Sequence, residues 1–300
     1  MAERVTIWEV APRDGFQPVG AFIPTARKIA AVQALAAAGL LHQEVSSFVS
    51  PRAVPQLADA ALVLKAAKAV PGLRACVLAP NRKGVELGLA HGADRIGLFM
   101  SVTEGHNRSN VNRGVEASFA ELAGLVAEFG EAAEFRFNLS CCFHCPFEGV
   151  VPEARTLALI ARVAALHPGI EIAVADTTGN AAPDQVGRVF AAAIAAHPRV
   201  PFAFHGHDTY GMGLANVAAA FAAGVRIFDA AAGGIGGCPF APGATGNVAT
   251  EDVAWMFRRM GVATGIDLPK LLQAADAITA IPGVQPGGRV RLVPALRRAS

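Results

Sequence analysis

The chain has 300 residues, of which 53% are hydrophobic and 17% charged, so it can bury a large core and is not a disordered chain. Its 26 basic and 24 acidic residues leave a net charge of +2, which argues against a nucleic-acid-binding surface. Gly, Pro or a charge interrupts each apolar run, so we expect no membrane span. Strand-like sequence begins at Val5, so we also expect no signal peptide. The five cysteines cannot all pair, so we expect reduced thiols and a cytoplasmic protein.

Short β-like runs alternate with longer Ala- and Leu-rich segments along the chain. The predicted strands are Val5–Val10, Gln43–Val45, Leu73–Leu78, Arg95–Phe99, Glu134–Leu139, Glu171–Ala175, Phe202–Phe204 and Ile227–Asp229. The predicted helices lie near residues 24–38, 57–69, 81–90, 115–129, 152–166, 183–196, 213–223 and 249–260. This alternation predicts an α/β fold, a (β/α)8 TIM barrel. The alternative, an open doubly wound sheet, usually has a glycine-rich phosphate loop after its first strand, and this chain has none there.

We expect the barrel to form one catalytic domain over residues 1–285. Leu268–Ile281 is predicted to form an additional helix, which gives the barrel a short C-terminal extension. The tail at 286–300 carries several arginines and is expected to be loosely ordered. Within the barrel, the segment that contains Arg108, Asn110 and Asn112 is predicted to be a polar loop.

Two histidines follow the seventh predicted strand, in the sequence His205-Gly206-His207-Asp208. Residues i and i+2 of a strand project to the same face, so both imidazoles point in one direction, as two ligands of one metal ion would. The carboxyl ends of all the strands of a barrel meet at one mouth. Other polar residues stand at such ends, and a closed barrel brings them together from distant parts of the chain: Arg13, Asp14, Glu44, Asp176 and Asn247.

Several of these residues also have ordinary structural interpretations. The two histidines could be hydrogen-bonded core residues, and Cys238 could be a plain buried thiol. Asp176 could cap the following turn. Arg13 and Asp14 could form an ion pair, although their adjacency makes direct pairing of the side chains awkward.

Two further clusters are better interpreted as structural than as binding sites. The glycine run 233–237 could hold a phosphate, but it lacks the lysine and the helix start of a P-loop. Cys141, Cys142, His144 and Cys145 could bind zinc, but one such cluster without a second Cys or His pair is a weak signal. We expect these residues to be structural parts of the end of the fifth strand.

Six segments together resemble the 3-hydroxy-3-methylglutaryl-CoA lyase family, within a wider group of metal-dependent lyases and condensing enzymes built on such barrels. The resemblance extends over roughly residues 5–280, and the order and spacing of the segments make it specific. The segments are Pro12-Arg13-Asp14-Gly15-Phe16-Gln17, Glu44 to Pro51, Cys141 to Glu148, Asp176-Thr177-Thr178-Gly179, His205 to Gly211, and Gly236 to Asn247.

The resemblance implies retro-Claisen cleavage of a 3-hydroxy acyl-CoA to acetyl-CoA and a 3-keto acid, with Mg²⁺ or Mn²⁺, in a homodimer. It implies that the metal ligands are Asp14, His205, His207 and Asn247. It implies that Arg13 faces the thioester enolate and that Cys238, on a mobile loop, helps proton transfer. The remaining supporting residues that it implies are Glu44, Asp176 and, as a weaker candidate, Gln17.

Such a cleavage needs a base for the hydroxyl proton and an acid for the enolate carbon. Asp14, Glu44 and His205 are all candidates for the base, and the sequence does not choose among them. An ordinary thiol can donate a proton near neutral pH, so Cys238 is a candidate acid. The alternatives are a condensing synthase or lyase of the same barrel group acting on another hydroxy acid, and a silent barrel that binds metal or acyl-CoA.

Overall fold

The computed structural model describes residues 3–236 and 246–293. The strands are β1 (Thr6–Glu9), β2 (His42–Ser47), β3 (Arg74–Leu78), β4 (Arg95–Ser101), β5 (Phe135–Ser140), β6 (His144–Cys145), β7 (Gly149–Val150), β8 (Glu171–Asp176), β9 (Phe202–Gly206) and β10 (Ile227–Ala230). All of them except β6 and β7 form a closed parallel barrel in the order β1-β10-β9-β8-β5-β4-β3-β2. The prediction of a (β/α)8 barrel is confirmed, and β1 pairs with β10 to close it.

Helices follow each barrel strand and cover the outside of the barrel. They are α1 (Thr25–Ala37), α2 (Ala60–Lys68), α3 (Arg82–Ala90), α4 (Glu104–Val111), α5 (Val115–Phe129), α6 (Glu153–Ala164), α7 (Pro183–Ala196), α8 (Gly213–Ala222), α9 (Thr250–Arg259) and α10 (Leu268–Thr279). Helix α6 shows why these segments are helical, because its buried residues Thr156, Leu159, Ile160 and Val163 recur at the spacing of one helix face. No helix of the described residues is both long and apolar enough to cross a membrane.

The segment around Arg108 is not the polar loop that we expected, because it forms the short helix α4. The side chain of Asn107 accepts a hydrogen bond from the Ser101 amide and donates one to the Arg113 carbonyl. The hydrogen-bonding groups of this buried side chain therefore have backbone partners on both sides of α4. Asn112 then ends the helix in the left-handed region at a φ of 52°. The small antiparallel hairpin of β6 and β7 was also not predicted.

The first part of the tail that we expected to be loosely ordered is hydrogen-bonded to the barrel, and residues 294–300 lie outside the described residues. The carboxylate of Asp252, at the start of α9, accepts hydrogen bonds from the amides of Arg289 and Val290. The Gly287 amide donates to the Gly233 carbonyl over 2.8 Å. These bonds attach the C-terminal segment to the loop that follows β10.

Candidate active site

The chain leaves β1 through one wide helical turn, Ala11–Gly15, of the π type. The amides of Asp14 and Gly15 both donate to the Val10 carbonyl, at 2.8 and 3.2 Å. Such turns are rare and occur often at functional sites. This turn places Arg13 and Asp14 at the carboxyl end of the barrel.

From this turn, the Arg13 side chain contacts two carboxylates. Its Nη1 lies 2.5 Å from Asp14 Oδ1, and its Nε donates to Glu44 Oε1 at the neighbouring strand β2. The ion pair of Arg13 with Asp14, which we expected their adjacency to disfavour, is therefore present. The wide turn lets the two neighbouring side chains fold toward each other, which an extended strand would not allow.

Asp14, His205 and His207 form a compact cluster at the mouth. One potential ligand atom from each lies within 4.8 Å of the others, and the two imidazole centroids are 5.0 Å apart. Within residues 3–236 and 246–293, this is the only group of three or more Asp, Glu, His or Cys side chains that lie close enough together to hold one metal ion. The Cys141–Cys145 segment, which also suggested zinc, forms no such group.

Hydrogen bonds occupy the same ring nitrogen of both histidines. His205 Nδ1 lies 3.0 Å from Asp229 Oδ2, and His207 Nδ1 lies 3.0 Å from the Asp176 carbonyl oxygen. Because an acceptor faces each Nδ1, the proton of a neutral ring belongs there. The Nε2 atoms are then the ones left with a lone pair for a ligand bond.

Asn247 joins this cluster from the other end of the chain. It forms an isolated β-bridge with His207, and its Nδ2 donates to Asp14 Oδ2 over 2.7 Å. Its buried Oδ1 has no hydrogen-bond partner. A buried amide oxygen without a partner is costly, and a cation beside it would satisfy it. Together with one carboxylate and two imidazoles, this donor set fits Mg²⁺ or Mn²⁺ better than a thiolate site would.

The electrostatics of the cluster favour an ionised Asp14 and a neutral His207. Burial alone would raise the pKa of Asp14, but the charges of Arg13 and the two histidines bring it well below its usual range. Burial lowers the pKa of His207 to about 4. Burial acts the same way on His205, but the hydrogen bond and charge of Asp229 raise the pKa of His205 above its ordinary value.

Asp176, at the end of β8, contacts the cluster through His207. Its buried carboxylate accepts hydrogen bonds from the amides of Asn180 and Ala181, so the side chain caps the turn after β8. Burial raises the pKa of Asp176 to about 6, although these bonds oppose the shift. Its contact with the cluster is made by the backbone carbonyl that accepts from His207.

The other predicted residues lie at different places. Glu44 is buried and bound to Arg13, whereas Gln17 is solvent-exposed just after the wide turn. Cys238 lies outside the described residues.

Sequence reasoning missed a set of charged residues inside the barrel. Arg136 Nη2 donates to Asp229 Oδ1 over 2.6 Å, and its Nη1 lies 3.1 Å from Glu171 Oε1. The available signal was their position, because Arg136, Glu171 and Asp229 are charged residues within otherwise apolar strands. Strand register, which the sequence does not state, is what pairs Asp229 with His205.

Comparisons with known proteins identify the family of the chain and agree with its barrel fold. Residues 4–278 match the model of the HMGL-like family. The chain belongs to the HMGL-like family. The family that the motifs predicted is therefore confirmed.

Relatives of this HMGL-like chain match it over nearly its full length. It is 41% identical to the mitochondrial hydroxymethylglutaryl-CoA lyase of Mus musculus over 279 residues, 93% of this chain and 86% of the mouse protein. It is 38% identical to the hydroxymethylglutaryl-CoA lyase of Pseudomonas mevalonii over 299 residues, 99% of both proteins. A solved HMG-CoA lyase from Acinetobacter baumannii, in complex with coenzyme A and 3-methylmalate, superposes with a TM-score of 0.91 at 35% identity, covering 97% of this chain and 95% of that one.

Proposed function

We propose that this protein cleaves 3-hydroxy-3-methylglutaryl-CoA to acetyl-CoA and acetoacetate. The observation that carries the proposal is the meeting of Asp14, His205, His207 and Asn247 beside Arg13 at the carboxyl end of the barrel. Barrel enzymes act at this end. The HMG-CoA lyases to which the chain is similar, one of them solved with coenzyme A, support an acyl-CoA substrate.

The proposed metal ligands are the Asp14 carboxylate, the two Nε2 atoms of His205 and His207, and the Asn247 Oδ1. Mg²⁺ or Mn²⁺ bound to this set would polarise substrate oxygens and lower the pKa of the substrate hydroxyl. The protein's own contribution is to hold an ionised carboxylate and two imidazoles in fixed positions. The hydrogen bonds of both Nδ1 atoms fix the rings for that purpose.

Cleavage of the C2–C3 bond of the substrate places a negative charge on the thioester enolate. A base takes the proton of the C3 hydroxyl, the C2–C3 electron pair moves to C2, and an acid then protonates C2 to give acetyl-CoA. Arg13 remains protonated between Asp14 and Glu44, and we propose that it faces the enolate oxygen. A fixed cation at such a position typically contributes about 10²–10³ in rate.

Asp14 is a poor candidate for the base, because its pKa lies far below its usual range. His205 would bind the metal through Nε2 and carries its proton on Nδ1, so Glu44 is the proposed base for the hydroxyl proton. Cys238 is the proposed acid for C2. Gln17 and Asp176 stay proposed as substrate-binding residues, Gln17 by its exposure beside the turn and Asp176 through its place under the cluster.

We also propose a cytoplasmic homodimer, with no nucleic-acid or membrane partner. The cytoplasmic setting is supported by the free thiols of Cys76, Cys141, Cys142 and Cys145.

A coupled assay of acetoacetate release tests the function. The purified chain is stripped with a chelator, then given 3-hydroxy-3-methylglutaryl-CoA with and without Mg²⁺ or Mn²⁺. We expect acetoacetate to be released only when the metal is restored. No cleavage of this substrate, but cleavage of another hydroxy acid, would indicate a different member of the barrel group. No cleavage of any thioester in a panel of 3-hydroxy acyl-CoA compounds would indicate a binding protein.

A further inference from the structure

His205 has an anionic partner that the proposed ligand set does not include. Asp229 lies on β10 directly opposite His205 on β9, and its Oδ2 is 3.0 Å from His205 Nδ1. The Asp229 side chain is only 4% exposed, so water does not compete effectively for this contact. The carboxylate therefore presents a fixed acceptor to one edge of the imidazole ring.

A buried guanidinium holds that carboxylate in place. Arg136 on β5, whose side chain is 2% exposed, donates from Nη2 to Asp229 Oδ1 over 2.6 Å. Arg136 is itself bound by Glu171 on β8 and by Asn138, whose Oδ1 accepts from its Nε over 3.2 Å. A buried charge needs partners of this kind. The two oxygens of Asp229 are thus divided between Arg136 and His205.

The neighbouring histidine shows what this arrangement adds. His207 Nδ1 faces a backbone carbonyl, which no side-chain substitution can remove. His205 instead depends on one side chain for the acceptor at Nδ1. Groups of this kind fix the ring orientation and the tautomer of metal-ligating histidines.

We propose that Asp229 is a positioning residue, which fixes the orientation of the His205 ring and keeps its proton on Nδ1 so that Nε2 faces Asp14 and His207. Arg136 holds Asp229 in that position. This inference rests on the metal site of the proposed function, and it adds a residue that contacts neither substrate nor metal.

The test measures Mn²⁺ affinity by electron paramagnetic resonance in the absence of substrate. We expect Asp229→Ala to bind Mn²⁺ about 10–100-fold more weakly than the wild type. Asp229→Asn should lose less, because its amide oxygen can still accept from Nδ1. The matched control is Glu171→Gln, which also removes one carboxylate charge from Arg136 but does not touch His205. It should leave Mn²⁺ affinity within a few-fold of the wild type.

A second readout does not depend on the folding of any Asp229 variant. Long-range ¹H–¹⁵N spectra of the metal-free wild type, recorded at a pH high enough for the His205 ring to be neutral, should show the ring protonated on Nδ1, with the signal assigned by its loss in His205→Gln. A neutral His205 ring protonated on Nε2 would overturn the inference. So would wild-type Mn²⁺ affinity in Asp229→Ala, or an equal loss in Glu171→Gln, because the latter would mean a general effect of the buried network.

The outcomes also separate this inference from the function. If the wild type binds Mn²⁺ and cleaves the thioester while Asp229→Ala binds Mn²⁺ equally well, only the role of Asp229 fails. If the wild type binds no Mn²⁺, the proposed metal site itself fails, and the tautomer of His205 still decides whether Asp229 orients the ring.

Discussion

Arg13 connects two carboxylates that reach it from different strand ends. Its planar fork contacts Glu44 through Nε and Asp14 through Nη1. A lysine has one compact ammonium group and cannot copy this divided geometry. The residue thus combines a fixed positive charge with the placement of two possible reacting groups.

We expect Arg13→Lys to lower kcat by about 10²–10³, because the charge would no longer be fixed where the enolate develops. Mn²⁺ affinity should change little, since none of the proposed ligands is removed. Steady-state kinetics and Mn²⁺ titration check both parts. Arg82→Lys, at an exposed ion pair with Glu128, is the matched control and should behave as the wild type. A normal kcat in Arg13→Lys would contradict the assigned role.

Glu9 lies below the wide turn and links three segments of the site. Its Oε1 accepts from the amides of Ala11 and Ala232, both at 2.9 Å, and its Oε2 accepts from Thr250 Oγ1 over 2.8 Å. Burial raises the pKa of Glu9 to about 7, with the nearby charge of Glu251 adding to the effect. The folded protein therefore holds a proton here that the unfolded chain releases at lower pH.

This shift predicts a pH-dependent effect of Glu9→Gln. Between pH 4.5, the ordinary pKa of this glutamate, and about 7, the folded state binds more protons than the unfolded state, so this group's contribution to stability falls as pH rises. The neutral glutamine keeps the amide contacts without that dependence. The thermal midpoint of Glu9→Gln relative to the wild type should therefore rise from pH 5 to pH 8. A difference that is flat or falls with pH would contradict the raised pKa.

At the scale of elements, the site depends on the backbone conformation of Gly246. This glycine has a φ of +100°, and a Cβ built on it would lie 2.1 Å from the Gly236 carbonyl oxygen. The Gly246 carbonyl accepts from the Asp208 amide over 2.9 Å. The close approach holds Asn247 beside His207 and Asp14.

Gly246→Ala should therefore weaken Mn²⁺ binding as well as stability. Gly261→Ala is the matched control, because Gly261 also has a positive φ, of +74°, but has open space around its Cβ position. We expect the control to lose about 1–2 kcal/mol of stability from its backbone alone and to bind Mn²⁺ normally. The clash should cost Gly246→Ala about 1–3 kcal/mol more. Equal melting temperatures and equal Mn²⁺ affinities in the two variants would show that the contact does not matter.

The sequence predicted the elements well where periodicity and local signals agree. All eight predicted barrel helices begin and end within three residues of their predicted limits, and Asp176, His205 and Asn247 lie at the barrel mouth as expected. It did not predict the ion pair of Arg13 with Asp14, because that pair requires a wide turn that has no local signature. Helix α4 was missed for a similar reason, since its polar residues are satisfied by partners outside the helix.

At the scale of the molecule, barrel closure is what creates the candidate site. Asp14 follows the first strand and Asn247 follows the last, and they lie within hydrogen-bond distance because β1 pairs with β10. The internal charges of Arg136, Glu171 and Asp229 could not be predicted as a network. Their contacts depend on strand order and register, which only the folded barrel supplies.

Anomalous diffraction from crystals grown with Mn²⁺ tests the central claim most directly. We predict one strong Mn²⁺ peak at the barrel mouth, coordinated by Asp14, by the Nε2 atoms of His205 and His207, and by Asn247 Oδ1. A Mn²⁺ peak elsewhere, or one at the two histidines with Asp14 and Asn247 turned away from it, would contradict the account.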